Sequence, residues 1–261
     1  MPRLETEGYG QRGTNRQNRP ALKEYHLFYT PEIETSPLLP ADEAVHAVRV
    51  LRMKEGDSLL STDGRGTIFR SSVIEATQRR CAVCIEERTR QPRLHQGTVT
   101  LAIAPTKNMD RMEWLAEKAT EIGIDRLCFI DVKNSERHVV KTERIEKIVI
   151  AAMKQSHKAW KPEVAGMVNF ESFIRSDSSN ARFIAHCYED ENKKFLFETL
   201  LPPPADTTVM IGPEGDFTEN EVSEAAAAGY VPVSLGTSRL RTETAGLVAV
   251  HLMNLKDEGM K

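Results

Sequence analysis

The stretch TTVMIGPEGDFTENEV, residues 207–222, passes from an apolar run into a glycine-bearing loop and then into a helix start. Thr207–Ile211 reads as a buried strand. Thr218 and Glu221 have the spacing of a capping box, so a helix is expected over Thr218–Ala228. Glycines at 212 and 215 let the backbone approach a ligand closely. A loop at the carboxyl end of a parallel strand is a default ligand position. No lysine stands next to these glycines, and the loop's own charges are Glu214 and Asp216, so it makes a poor phosphate cradle. A neutral or cationic ligand fits it better, an adenosine carrying a sulfonium for example. An ordinary tight turn is the other reading.

A second loop of the same kind follows in LGTSRLRTETAG, residues 235–246. A strand over Tyr230–Leu235 ends at the glycine, and a helix over Glu243–Lys256 begins soon after. Arg239 and Arg241 fall where a helix N-terminus disfavours cations, whereas Glu243 is favoured there. Either the two arginines hold RNA phosphate or a substrate anion, or they pair with Glu243.

Preceding residues repeat the strand–helix rhythm. Val99–Ala104 is a buried strand. A helix capped by Asn108 runs to Ile122 and stops at Gly123. A strand over Arg126–Val132, a helix over Thr142–Lys158 and a strand over Arg182–Cys187 follow. This alternation predicts a parallel α/β sheet over residues 96–261. Residues 25–95 read differently, as short strands punctuated by turns (Asp57–Thr62, Thr67–Ile74, Cys81–Ile85) with one helical stretch, Asp42–Met53. Five or six such strands predict a small β-barrel. Residues 1–24, rich in Arg, Gly, Asn and Gln, are expected to be a disordered extension.

Composition bounds the function classes. The chain has 261 residues, 40% hydrophobic and 28% charged, with a net charge of −3. No apolar run approaches the ~20 residues needed to span a bilayer, and no signal-peptide core opens the chain. Four cysteines do not make a disulfide framework in a chain this long, and Cys81-x-x-Cys84 lacks a second metal-ligand pair. A cytoplasmic protein without membrane or metal partner is expected. Within the acidic second part, residues 133–161 reverse sign through Lys133, Arg137, Lys141, Arg144, Lys147, Lys154, Lys158 and Lys161. Such a stripe binds RNA phosphates or is a solvated helix face. Trp160 at its end is expected to offer a stacking surface.

The two glycine loops together resemble those of the SPOUT class of methyltransferases, and of its RsmE family in particular, the 16S rRNA (uracil-N3)-methyltransferases. Further matching blocks are His46–Met53 with Gly56-Asp57, Lys118–Gly123, and Ala151–Ser156. The likeness covers about residues 25–256. Two positions depart from the family pattern, both where glycine is usual: Asp216 and His157. The resemblance implies a SPOUT parallel-sheet domain ending in a trefoil knot, a PUA-like β-barrel at residues 25–95, a homodimer, and 16S rRNA or the 30S subunit as partner. It implies S-adenosyl-L-methionine as cofactor, held by Ile211, Gly212, Pro213, Glu214, Gly215, Leu235, Gly236, Leu240, Thr242 and Ala245. Arg241 and Glu243 become the expected catalytic pair, as anion stabiliser and proton acceptor. RNA would follow Arg49 and Arg52, one helical turn apart, together with Arg137, Lys154, Lys158 and Arg239.

Overall fold

The structure, a computed structural model, describes residues 26–77, 79–189, 193–200 and 206–258, the side chains to residue 255. The expectation for residues 1–24 lies outside the described residues. In chain order the elements are β1 (Leu27–Tyr29), α1 (Ala41–Val45), β2 (Ser58–Thr62), β3 (Thr67–Ala76), β4 (Cys81–Arg90), β5 (Val99–Ile103), α2 (Met109–Ile122), β6 (Arg126–Asp131) and α3 (Thr142–Gln155). They continue with β7 (Glu163–Asn169), α4 (Phe170–Ser176), β8 (Ala181–Ala185), β9 (Lys194–Phe195), α5 (Leu196–Thr199), β10 (Thr207–Ile211), α6 (Glu219–Ala227), β11 (Val231–Ser234) and α7 (Thr242–Glu258). Among the described residues no helix is long and apolar enough to cross a membrane.

Seven parallel strands form the larger sheet in the order β7-β6-β5-β10-β8-β11-β9. Its central strands β5 and β10 are buried at every position, which is why both read as unbroken apolar runs rather than alternating ones. Alternate residues feed two cores. Leu101, Ile103, Phe129 and Val209 pack with Leu115, Val149 and Val250 on the α2, α3 and α7 side. Ala102, Ile130, Ile184 and Met210 pack with Phe170, Phe173, Phe217 and Ala225 on the α4 and α6 side. The chain interleaves: β10 enters between β5 and β8, and β11 between β8 and β9. Consequently three neighbouring strands, β10, β8 and β11, end side by side.

The N-terminal sheet has four strands in the order β1-β2-β3-β4, with β1 parallel to β2 and the others antiparallel. Five or six strands were expected. Pro31, Pro37 and Pro40 punctuate the segment before α1, which adds only an isolated bridge from Leu38 to Ala82. The expected single helix over Asp42–Met53 also differs. After Val45 the chain widens into a π-helical turn over His46–Val50, and Arg52 then takes φ +56. Arg49 and Arg52 are both exposed, but a helix break separates them, so they do not share a helical face.

The two sheets meet along the segment after α3. Gly66 N and Lys161 N donate to Ala159 O and Gly64 O at 2.9 Å, and Thr62 Oγ1 donates to Ala159 O at 3.1 Å. Trp160 lies against Gly66, where a Cβ would stand 2.3 Å from its ring. Its Nε1 donates to Gln91 O at 3.1 Å, and Arg90 and Arg93 stack on it at 4.5 and 4.1 Å. The indole expected to stack on RNA is therefore committed to the seam. Lys154 is committed as well: its ammonium pairs with the buried carboxylate of Glu43. An amphipathic helix carrying a basic stripe gives no sign in sequence of which lysine faces another domain.

Candidate active site

A cleft of about 1020 Å³ opens over the carboxyl ends of β8, β10 and β11. Strand-end loops furnish its walls because parallel strands release their chains on the same side. The loop after β10 is shaped from within. Asp216 takes φ +60, and its carboxylate accepts from Phe217 N and Cys187 N, both at 2.7 Å. The second bond ties this loop to the exit of β8. Tyr188 repeats the tie, its hydroxyl donating to Phe217 O at 2.7 Å. Asn134, after β6, donates to Gly215 O and Asp216 O at 3.1 and 3.0 Å. Below the loop, Thr218 and Glu221 form the capping box read from the sequence. The wall after β11 turns at Gly236, whose φ of +140 is left to glycine among common residues.

All ten residues assigned from the sequence to the cofactor line this cleft, namely Ile211, Gly212, Pro213, Glu214, Gly215, Leu235, Gly236, Leu240, Thr242 and Ala245. Arg239 and Arg241 line it too, both exposed. Sequence reasoning missed Arg111, Cys187 and Lys193, which add to the same walls. Four cations (Arg111, Lys193, Arg239, Arg241) thus face two carboxylates (Glu214, Asp216). The loop alone is acidic, but the assembled cleft is basic at its rim. The Cys187 thiol is pushed up by burial and then by the Asp216 carboxylate.

Glu243, at the start of α7, is 8% exposed and does not line the cleft. Its Oε1 lies 3.8 Å from Nε of Arg111, while Oε2 is buried without a hydrogen-bond partner. Glu243 thus pairs across to α2 rather than with its neighbours Arg239 and Arg241. Arg111 left a related trace in the sequence, a cation in the first turn of α2, where the helix N-terminus disfavours it.

The residues expected along an RNA path do not gather at one place. Arg137 Nη2 donates to Lys107 O at 2.7 Å, bracing the loop before α2. Lys158 is half-buried, and burial pushes its ammonium pKa down. Arg49 and Arg52 lie on the N-terminal sheet's side. Among the described residues no group of His, Cys, Asp or Glu could hold a metal ion.

Comparison with known proteins agrees with this arrangement. The family model described as an RNA methyltransferase domain matches residues 92–254, and an RNA methyltransferase PUA domain matches residues 39–85. A probable rRNA-methyltransferase from Porphyromonas gingivalis superposes with a TM-score of 0.85 at 43% identity, over 90% of this chain and 100% of that one. A ribosomal RNA small subunit methyltransferase E from Neisseria gonorrhoeae, bound to S-adenosyl methionine, superposes with a TM-score of 0.77 at 25% identity, over 88% and 97% of the two chains. The Synechocystis ribosomal RNA small subunit methyltransferase E is 32% identical over 239 residues, 88% of this chain and 77% of that protein. A parallel sheet with its cleft at three strand ends, joined to a PUA domain, places this chain in the ribosomal RNA small subunit methyltransferase E family.

Proposed function

We propose that the chain methylates N3 of a uridine in 16S rRNA, with S-adenosylmethionine as donor, during assembly of the small ribosomal subunit in the cytoplasm. The observation that carries this reading is the cleft itself. Its inner walls are backbone and small side chains from the ends of β10 and β11, its rim is cationic, and it belongs to a member of this family. When bound, S-adenosylmethionine supplies an electrophilic methyl on a sulfonium that departs as a neutral thioether.

The walls fit such a group. Ile211, Gly212, Pro213, Gly215, Leu235, Gly236 and Leu240 present main chain and apolar surface to a planar base, and Ala245 and Thr242 close the floor at the start of α7. Glu214 and Asp216 supply negative charge for a sulfonium or ammonium. Arg241 stabilises charge developing on the uracil carbonyl oxygens; Glu243, expected from the sequence as acceptor of the weakly acidic N3 proton, lies behind the cleft wall against Arg111. Arg239 seats a phosphate at the rim, and Arg49, Arg52, Arg137 and Lys158 extend the RNA path. Lys154, assigned to that path by sequence, serves the domain seam. The interleaved order of β8, β10 and β11 supports a chain threaded into a trefoil knot, and a homodimer is the assembly proposed for it.

Incubating the purified chain with donor and 30S subunits, then locating the modification by mass spectrometry, tests the assignment. The expected product is 3-methyluridine in 16S rRNA. A methyl group on ribose or on another base would overturn the uracil-N3 assignment, and no methylation would overturn the proposal.

A further inference from the structure

The first turns of α2 and α7 meet beside the cleft, because Arg111 of one lies 3.8 Å from Glu243 of the other. Both helix N-termini add partial positive charge there. Arg241, the residue before α7, adds a full charge at the same rim. A cation in that field is disfavoured unless an anion lies against it, and Glu243 is the one charged partner that Arg111 has among the described residues. The four cations of the cleft differ in how they are held. Arg239 and Arg241 are exposed, and the Lys193 ammonium is committed to the carbonyl oxygens of His186 and Tyr188 at 2.9 and 2.6 Å. Arg111 lines the cleft and is backed by a buried carboxylate, its side chain 37% exposed against 11% for that of Glu243. A cation fixed from behind and partly out of water acts on a facing charge more strongly than an exposed, screened one.

We propose that Arg111 is a catalytic residue for methyl transfer: its guanidinium, with that of Arg241, takes the negative charge that develops on the two carbonyl oxygens flanking N3 of the reacting uracil. Glu243 is the positioning residue behind it. This rests on the reading of the chain as a uracil-N3 methyltransferase. The chemistry calls for two cations. When the N3–H bond breaks, the proton passes to water and the nitrogen's electron pair spreads over both neighbouring carbonyls, so one arginine covers half of the charge. The N3 pair then forms the bond to the donor's methyl, and the C–S bonding pair stays on sulfur. The base is neutral as substrate and as product. The guanidinium therefore binds the deprotonated base better than the ground state, which is the condition for raising kcat.

The test compares Arg111→Ala, Arg111→Lys and Glu243→Gln by methylation kinetics on 30S subunits across pH and by calorimetric binding of S-adenosylmethionine. Arg111→Ala is expected to lower kcat about a hundredfold, the usual cost of a lost oxyanion contact. The Kd for S-adenosylmethionine and the KM for RNA should each stay within about threefold. Loss of the cation leaves N3 less acidic, so the alkaline rise of kcat should move up by as much as about two pH units, a hundredfold in N3 acidity. His186, Cys187, Lys193, Glu214 and Asp216 are the cleft's other titratable groups. They are common to every variant, so the difference between two profiles reports the base. Subunits carrying 5-fluorouridine, whose N3 is more acidic, should show a smaller loss. Arg111→Lys should recover part of kcat, and Glu243→Gln should show part of the loss with the same direction of pH displacement. A Kd for the donor raised in step with the lost activity would place Arg111 on the donor's carboxylate, and a raised KM with a shallower salt dependence would place it on an RNA phosphate. Either result overturns the proposal. So does full turnover by Arg111→Ala, or a loss that is the same at every pH and with fluorinated RNA, as a merely structural role would give. A wild-type profile in Glu243→Gln would overturn the role given to Glu243. Inactivity of the wild-type chain, or methylation away from uracil N3, would defeat the function proposed above instead.

Discussion

Replacing Asp216 separates backbone cost from hydrogen-bond gain at the donor loop. A non-glycine residue in the left-handed region costs about 1–2 kcal/mol, with aspartate at the low end because its short polar side chain bonds locally. Against this stand two 2.7 Å bonds to backbone N–H groups, of which the one to Cys187 N joins two strand ends. A hydrogen bond to a charged group contributes about 1.5–3 kcal/mol. Asp216→Gly removes the bonds and relieves the strain, but returns roughly 0.5–1 kcal/mol of chain entropy to the unfolded state. The net loss is about 2.5–6 kcal/mol. Asp216→Ala loses the bonds and keeps the strain, which in alanine has no local side-chain bond to offset it, for about 3–7 kcal/mol. Asp216→Asn keeps a neutral acceptor and tolerates the conformation, for about 1 kcal/mol. Urea unfolding should therefore rank the variants Asn, Gly, Ala in increasing loss. Donor affinity by calorimetry should fall in the same order, up to about fivefold if 1 kcal/mol of the loop's order is lost. His157 is the control. It also has a left-handed backbone, φ +53, but its side chain is exposed. His157→Gly should be neutral or stabilising by up to about 1 kcal/mol. If Asp216→Gly matched or exceeded wild-type stability with unchanged donor affinity, the carboxylate would be a tolerated substitution and the reasoning would fail.

Lys154→Met should cost about 3 kcal/mol through the stranded buried carboxylate of Glu43, and Glu43→Leu/Lys154→Met should recover most of it. A loss of RNA affinity in Lys154→Met without loss of stability would contradict the seam role. Gly66→Ala should open the contact with Trp160, by collision and by φ +99 together, at a cost of about 3 kcal/mol or more. Trp160 fluorescence should report it by shifting to the red; an unshifted spectrum at wild-type stability would refute it. Burial pushes the Cys128 thiol up to about 11, so at pH 8 it stays neutral and should resist thiol reagents, while exposed Cys84 reacts. Asp216→Asn removes a charge that raises the Cys187 thiol, so modification of Cys187 should speed up; an unchanged rate would count against that coupling.

Much of the fold was legible because local signals agreed with the tertiary ones. The Thr218–Glu221 capping box, the Asn108 cap with its Gly123 stop, and the Thr207–Ile211 strand stand where pattern placed them, since each is decided within one helical turn or one strand. Strand β7 and helix α4 were missed. Glu163–Asn169 is half-buried with no alternation, and α4 follows it without a break. The ten residues lining the cleft were legible through the family resemblance, which rests on two glycine loops at strand ends.

Sequence alone thus determined the two-part plan, the parallel sheet and the loops after β10 and β11. Only the tertiary structure decided which charges work and which brace. Lys154 went to Glu43 and Trp160 to Gly66 and two arginines, while Arg111, about 130 residues from Glu243, came to lie 3.8 Å from it. The physical reason is range. Caps, turns and periodicity act over a few residues, whereas an ion pair depends on where two remote backbones are carried by the packing of entire helices.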